Sequence, residues 1–226
     1  MSLNAKKIAG TGGKKGPAQA PIEPGTYPVR LAQIIDCGLQ PQRPWQGEEK
    51  PPAHEMMLTY ELVDEFCVDE DGNVDEEKPR WLSETLPLRS LMAEKAKSTQ
   101  RYYALDPNED CEGDFVALAG MPANASITQN AGKGKNAGKI YNNIQMLTTL
   151  RAKDAAKTEP LKKDAKVFVL DEPDLEVFNS LPDWLQDKIK SNLEYGGSEL
   201  QKLLEGGSSE PADEPEAADS NDGEDW

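Results

Sequence analysis

The sequence has little of the side-chain chemistry on which most enzymes and metal sites depend. Its 226 residues include a single histidine, His54, and three cysteines, Cys37, Cys67 and Cys111. The cysteines are odd in number and lack the short paired spacings of zinc ligands, so we expect neither a zinc site nor a disulfide framework. Reduced thiols favour a cytoplasmic location.

Long apolar runs are also missing from the sequence. No run of 18 apolar residues occurs, so we expect no transmembrane helix and no role at a membrane. The N-terminal segment, MSLNAKKIAGTGGKKGPAQAP, lacks the apolar stretch of a secretory signal, and no signal peptide is expected.

Catalytic motifs are missing as well. The segment GKGKNAGK resembles a phosphate-binding loop, but Lys133 stands where the first glycine of that motif belongs, and Ile140 stands where its hydroxyl residue belongs. The acidic segment from Asp69 to Glu77 does not fit a calcium loop, because Lys78 falls at the twelfth position, which requires a carboxylate. We therefore expect no enzyme activity and no cofactor.

Acidic residues dominate what is present, and they are concentrated at the C-terminus. The formal net charge is −16, and eight of the carboxylates lie in residues 206–226, which hold no lysine or arginine and end in Trp226. Such a segment cannot bury enough apolar surface to order itself, so we predict a disordered acidic tail. A solubility tail is one interpretation. The terminal indole favours another, a docking peptide for a partner protein, which also imitates a polyanion. Its predicted contact residues are Asp222, Glu224, Asp225 and Trp226.

The remaining chain divides into three parts. Residues 1–24 form a predicted flexible arm with four lysines against one glutamate. Residues 25–150 alternate apolar and polar side chains as strands do, with a phase slip near Gln33 that indicates a bulge. Residues 151–205 are predicted to be a linker up to Asp164 followed by helices, which must pack on the preceding domain or on another subunit of a possible homodimer.

The order of elements in residues 25–150 predicts a mainly β fold. Strands are expected at residues 25–39, 56–66 and 80–88, then a helix capped by Ser90, then strands beginning at Pro122 and Ile140. A Pro-rich loop is expected between the first two strands. This is the order of the OB-fold, a five-stranded barrel with a capping helix. Other small β-barrels and β-sandwiches are alternatives that fit the same order.

The candidate binding residues surround a basic island in an acidic protein. The loop from Asn130 to Lys139 carries three lysines with small neighbours and no acid, which suits contact with phosphates. Aromatic side chains near such a loop can stack on bases. The predicted DNA-binding residues are Lys133, Lys135, Lys139, Tyr141, Arg43, Trp45, Arg101 and Tyr102. For Tyr60 and Trp81 the choice between core and groove stays open, whereas Trp184 is predicted to lie in the core.

Taken together, the chain resembles the single-stranded DNA-binding proteins of podovirus-type tailed bacteriophages. The resemblance lies in PGTYPVRLAQIIDCGLQPQRPWQGEEKPPAHEMMLTYELVDEF, in the lysine-glycine hairpin before KIYNNI, and in the acidic tail with an aromatic tip. It implies an OB barrel that binds single-stranded DNA during phage replication and recombination in the host cytoplasm. It also implies a tail that recruits replication enzymes, such as a polymerase or a helicase-primase, and competes with DNA. A different hypothesis is an acidic DNA mimic that inhibits a nucleic-acid enzyme.

Overall fold

Strands are the main regular structure in the computed structural model, which describes residues 19–206 apart from the side chain of Trp45. Within that range the strands are β1 Gly25–Trp45, β2 Glu48–Val68, β3 Val74–Pro87, β4 Pro122–Ala131, β5 Ile140–Thr149 and β6 Lys166–Phe168. The helices are α1 Lys97–Leu105, α2 Ala152–Ala155, α3 Leu175–Asn179, α4 Asp183–Lys190 and α5 Glu199–Gly206, with 3₁₀ turns at Val116–Leu118 and Gly134–Asn136. The expected mainly β class is confirmed.

The six strands form one sheet in the order β3-β2-β1-β4-β5, with β6 added beside β1. Strand β1 is the centre of this sheet because it changes partners along its length. Residues 25–30 pair with β4, and residues 33–35 pair in parallel with β6, while the opposite edge of β1 pairs with β2. The register shifts between Leu31 and Gln33, as the phase slip predicted, and such a bulge lets a long strand bend.

The main core lies between the sheet and α1. Its buried side chains include Leu31 and Leu58 from the central strands and Tyr102 from the helix. The helix follows β3, as predicted, but it begins at Lys97 and not after Ser90. The Ser90 hydroxyl instead accepts a hydrogen bond from the Met92 amide within a preceding turn, at 3.3 Å.

A buried arginine on α1 connects β3 and β5, the first and last strands in the order of the sheet. The Arg101 guanidinium donates to both carboxylate oxygens of Glu84 on β3, at 2.6 and 3.1 Å, and to the Ile144 carbonyl on β5, at 3.2 Å. The Arg101 side chain is 1% exposed and that of Glu84 is 12% exposed. The first and last strands of the path β3-β2-β1-β4-β5 therefore lie on either side of one side chain.

A second, smaller core covers part of the other face of the sheet, which we call the outer face because it points away from α1. Ile35 and Met57 on this face pack against Phe168 of β6 and against apolar residues of the C-terminal helices, including Leu185 and Ile189. The helices thus pack on the sheet, one of the two arrangements expected from the sequence.

Trp184 does not take part in this second core. It is 58% exposed, so the prediction that it is buried is wrong. Leu185 and Ile189 lie four residues apart on the face of α4 that meets the sheet. Trp184 comes one residue before Leu185, which turns its side chain away from Leu185 by about 100° around the helix axis.

The predicted linker is attached to the sheet. Arg30 on β1 donates to the carbonyls of Thr158 and Glu159, at 2.7 and 2.6 Å. Glu61 on β2 accepts a hydrogen bond from the Lys162 amide at 3.0 Å. Residues 158–162, which we call the crossing segment, therefore pass over β1 and β2 and leave less of the outer face exposed.

The expected Pro-rich loop is a β-hairpin. Strands β1 and β2 continue through it to a turn at Gln46–Gly47, with Gln42 opposite Lys50. Strand β3 pairs with β2 only from Glu55 onward, so the part of β2 before Glu55 has β1 as its partner and no β3 beside it. This part of the hairpin is a two-stranded ribbon, and the backbone amides along its outer edges donate no hydrogen bond to a further strand of the described part of the chain. Proline lacks an amide hydrogen and is tolerated at such edges and at β-bulges. The register also shifts between Gln40 and Gln42 and between Gln42 and Trp45, so four prolines do not interrupt the strands.

Part of the predicted N-terminal arm also packs on the sheet. Gln19 exchanges two hydrogen bonds with the backbone of Val68, each of 2.8 Å, and Ile22 is buried in the main core. The prediction that the flexible arm extends to residue 24 is therefore wrong for its last residues, Gln19 and Ile22 among them. Residues 1–18 lie outside the described residues.

Replacing Arg101 by Met should destabilise the protein by about 3–5 kcal/mol, because it leaves the Glu84 carboxylate buried without its partner. Urea unfolding followed by circular dichroism measures this change. The matched control is Arg151→Met, which breaks an exposed ion pair with Asp154 and should cost about 0–1 kcal/mol. Adding Glu84→Leu to Arg101→Met should restore part of the loss. Equal, small effects of Arg101→Met and Arg151→Met would show that Arg101 does not hold the strands together.

Candidate nucleic-acid interface

The lysine-glycine hairpin between β4 and β5 is a short, closed loop with exposed cations. The Gly132 amide donates to the Lys139 carbonyl at 2.8 Å, and a 3₁₀ turn fills the loop. The loop depends on its glycines: Gly138 has a φ of +85°, and a Cβ on Gly132 would collide with the Asn136 carbonyl. The lysines Lys133, Lys135 and Lys139 are all exposed, as a contact with phosphates requires.

Tyr141 lies directly after this hairpin on β5 and is 43% exposed. The strand alternates at this point, with Ile144 in the core and Asn142 turned towards Ile22. The Asn142 amide group donates to the Ile22 carbonyl and accepts from the Ile22 amide, at 2.6 and 2.8 Å. These bonds fix the phase of β5, so Tyr141 lies on the outer face.

Strand β3 presents a second aromatic side chain on the same face. Trp81 is 45% exposed and lies outside the core, whereas Tyr60 on the neighbouring strand is buried in the core. The Trp81 indole donates to a Glu61 carboxylate oxygen at 3.0 Å, which holds the ring against the sheet. Burial raises the pKa of the Tyr60 hydroxyl well above its ordinary value, so that group stays neutral.

The two exposed rings lie at the same level of the structure. Strands β3 and β5 run in the same direction, because each is separated from β1 by one antiparallel strand. Arg101 joins Glu84 to Ile144, and Trp81 and Tyr141 precede those two residues by three positions each. We call this pair, Trp81 and Tyr141, the aromatic seam.

Arg101 and Tyr102 are not available for a ligand. Both are fully buried, so their predicted role in DNA contact is wrong. The Tyr102 hydroxyl donates to Asp106 at 3.0 Å and accepts from the Gly113 amide at 2.7 Å. Burial opposes the ionisation of Asp106. The hydrogen bonds from Cys111, Asp110 and Tyr102 outweigh that effect and lower the pKa of the carboxyl group. Arg101 and Tyr102 are thus part of the structural core.

Arg43 is exposed but lies away from the lysine hairpin. Residue Gly25, at the start of β1, pairs with Ile127 near that hairpin, whereas Arg43 lies near the end of the same strand. The backbone of Trp45 pairs with Glu48 beside it, and the Trp45 side chain lies outside the described part. The structure therefore divides the predicted residues between two ends of β1. The predicted tail residues Asp222, Glu224, Asp225 and Trp226 lie outside the described residues.

Sequence reasoning did not select Trp81 as a site residue, although a signal was present. In RWLSETLP the residues Leu82, Glu84 and Leu86 alternate with Trp81, Ser83 and Thr85. Only the first set could form a core, so the second set belonged outside. A glutamate in the apolar set indicated a buried cation as its partner.

Residues 19–206 hold no group of three or more His, Cys, Asp or Glu side chains placed to bind a metal ion. In the same part of the chain, every helix is too short or too polar to cross a bilayer. Comparison of the chain with protein-family models, with curated proteins and with solved structures gave no match.

Proposed function

We propose that this protein is a non-enzymatic, sequence-tolerant single-stranded DNA-binding protein built on an OB barrel. The barrel is supported by the sheet order, by the helix between the third and fourth strands, and by the Arg101 side chain that bonds to both β3 and β5. The sixth strand, β6, is an addition to that barrel beside β1.

The aromatic seam carries this proposal. Two exposed rings at one level of β3 and β5, the strands on either side of Arg101, offer stacking surfaces to successive bases, and every base has a face that can stack. The last lysine of the hairpin, Lys139, lies two residues before Tyr141, and the hairpin lysines supply charge for the phosphates. The crossing segment and the C-terminal helices cover much of β1 and β2. The single-stranded DNA therefore follows the exposed side of the protein, which β3 and β5 form.

The C-terminal tail gives the proposal its biological setting. A segment with eight carboxylates and a terminal indole suits recruitment of replication enzymes, and its charge lets it compete with DNA for the lysines. Together with the resemblance to phage proteins, this supports a proposed role in phage DNA replication and recombination.

Replacing Trp81 or Tyr141 by Ala should weaken binding to oligothymidylate by about 1–3 kcal/mol each, because each change removes one stacking surface. Fluorescence anisotropy of a labelled oligonucleotide at low salt measures the affinity. The matched control is Trp184→Ala, which removes from α4 an indole that is more exposed than that of Trp81, and should leave the affinity unchanged. Equal losses in all three variants would contradict a specific seam, and failure of the unaltered protein to bind would favour the DNA-mimic alternative.

Replacing Lys133, Lys135 and Lys139 together by Ala should flatten the salt dependence of binding. For single strands the log–log slope changes by about 0.7 per phosphate contact, so the three lysines account for up to about two units. The control replaces the exposed Lys153, Lys157 and Lys163 and changes the net charge equally. If both triple variants change the slope by the same amount, general charge and not the hairpin determines affinity.

A further inference from the structure

A polar cavity of about 600 Å³ lies at the other end of β1, between the Pro-rich hairpin, β3 and α4. Three cations line it: Arg43 and Lys50 from the hairpin, and Lys188 from the helix. Glu55 is the one carboxylate in its wall, so the lining has a net charge of +2 in a protein whose net charge is −16. Such local charge in a concave surface attracts anions.

The position of Lys188 is fixed by its contacts. Its ammonium group forms an ion pair with Glu55 at 2.7 Å, and the side chains of Lys188 and Glu55 are 28% and 16% exposed. The Gln42 amide donates to the other oxygen of the same carboxylate at 2.8 Å. Gln40, two residues earlier, donates to the Lys188 carbonyl at 2.9 Å. Helix α4 is therefore attached to the hairpin, and the cavity does not depend on a mobile lysine.

The cavity and the aromatic seam share one strand. Thr85 lines the cavity and lies on the same outward face of β3 as Trp81, four residues earlier. At about 3.3 Å per residue, about 13 Å separates the two along the strand. Ser83 lies between them and is exposed, so a continuous strip of surface leads from the seam to the cavity.

We propose that this cavity binds phosphates of the DNA strand that stacks on the aromatic seam, and that α4 is thereby part of the DNA-binding surface. The proposal rests on the proposed function and extends it. The ligand is the phosphodiester backbone, because the cavity has polar walls and no exposed aromatic ring among its described side chains. The Arg43 guanidinium contacts a phosphate with paired N–H donors, and the Lys188 ammonium contacts one as a point charge. The C-terminal helices, which have no place in a minimal barrel, thus gain a direct role.

The test measures the salt dependence of oligothymidylate binding by the full-length protein. Replacing Arg43 and Lys188 together by Ala removes two phosphate contacts and should lower the log–log slope by about 1.4. The matched control replaces Arg151 and Lys202 by Ala, which removes one arginine and one lysine from exposed ion pairs elsewhere. That control should keep the slope of the unaltered protein.

Two further variants distinguish the loss of positive charge in the cavity from a loss of folding caused by breaking the Lys188–Glu55 ion pair. Lys188→Arg keeps the positive charge beside Glu55 and should keep the slope, whereas Arg43→Ala alone should lower it by about 0.7 without touching the ion pair. An unchanged slope in Arg43→Ala and in the double variant, with oligothymidylate still bound, contradicts the cavity as a phosphate site and leaves the seam intact. If the unaltered protein does not bind oligothymidylate, the proposed function fails and this inference fails with it.

Discussion

One buried ion pair links the first and last strands of the sheet order through α1. Arg101 contacts Glu84 on β3 and the Ile144 carbonyl on β5, and its own helix packs in the main core. A buried arginine without a carboxylate would be costly, so the helix, β3 and β5 are constrained to meet around it. The same constraint sets the level of Trp81 and Tyr141, because each lies three residues before a residue that Arg101 contacts. The surface proposed to bind DNA therefore depends on an ion pair that is buried beneath it.

The C-terminal part of the chain decides which surface stays open. The crossing segment and the helices α3–α5 cover the outer face of β1 and β2, where Ile35 and Met57 would otherwise be exposed. What remains accessible is the side formed by β3 and β5, with lysines at one end and the cavity at the other. A chain with a net charge of −16 can still bind a polyanion along such a path, because salt screens exposed charges that are more than about 8 Å apart at physiological ionic strength.

Much of the fold followed from alternation in the sequence. The strands around Leu31, Leu58 and Ile144 were predictable because one face of each must be apolar, and the lysine hairpin was predictable from glycines between two such strands. The Pro-rich hairpin was missed because proline is excluded from central strands but tolerated at the edge of a two-stranded ribbon. Arg101, Tyr102 and Trp184 were misplaced for a common reason. Residue type favours one environment, but the face of a helix that meets the sheet decides burial, and that depends on tertiary contacts.

Photo-cross-linking of the protein to oligothymidylate that carries bromodeoxyuridine, followed by mass spectrometry of the linked peptides, examines the seam itself. Stacked bases place the reactive carbon against the rings, so we expect cross-links at Trp81 and Tyr141 and a loss of each in the corresponding Ala variant. Cross-links that spare both residues and concentrate at another exposed ring, such as Trp184, would contradict a DNA path along β3 and β5.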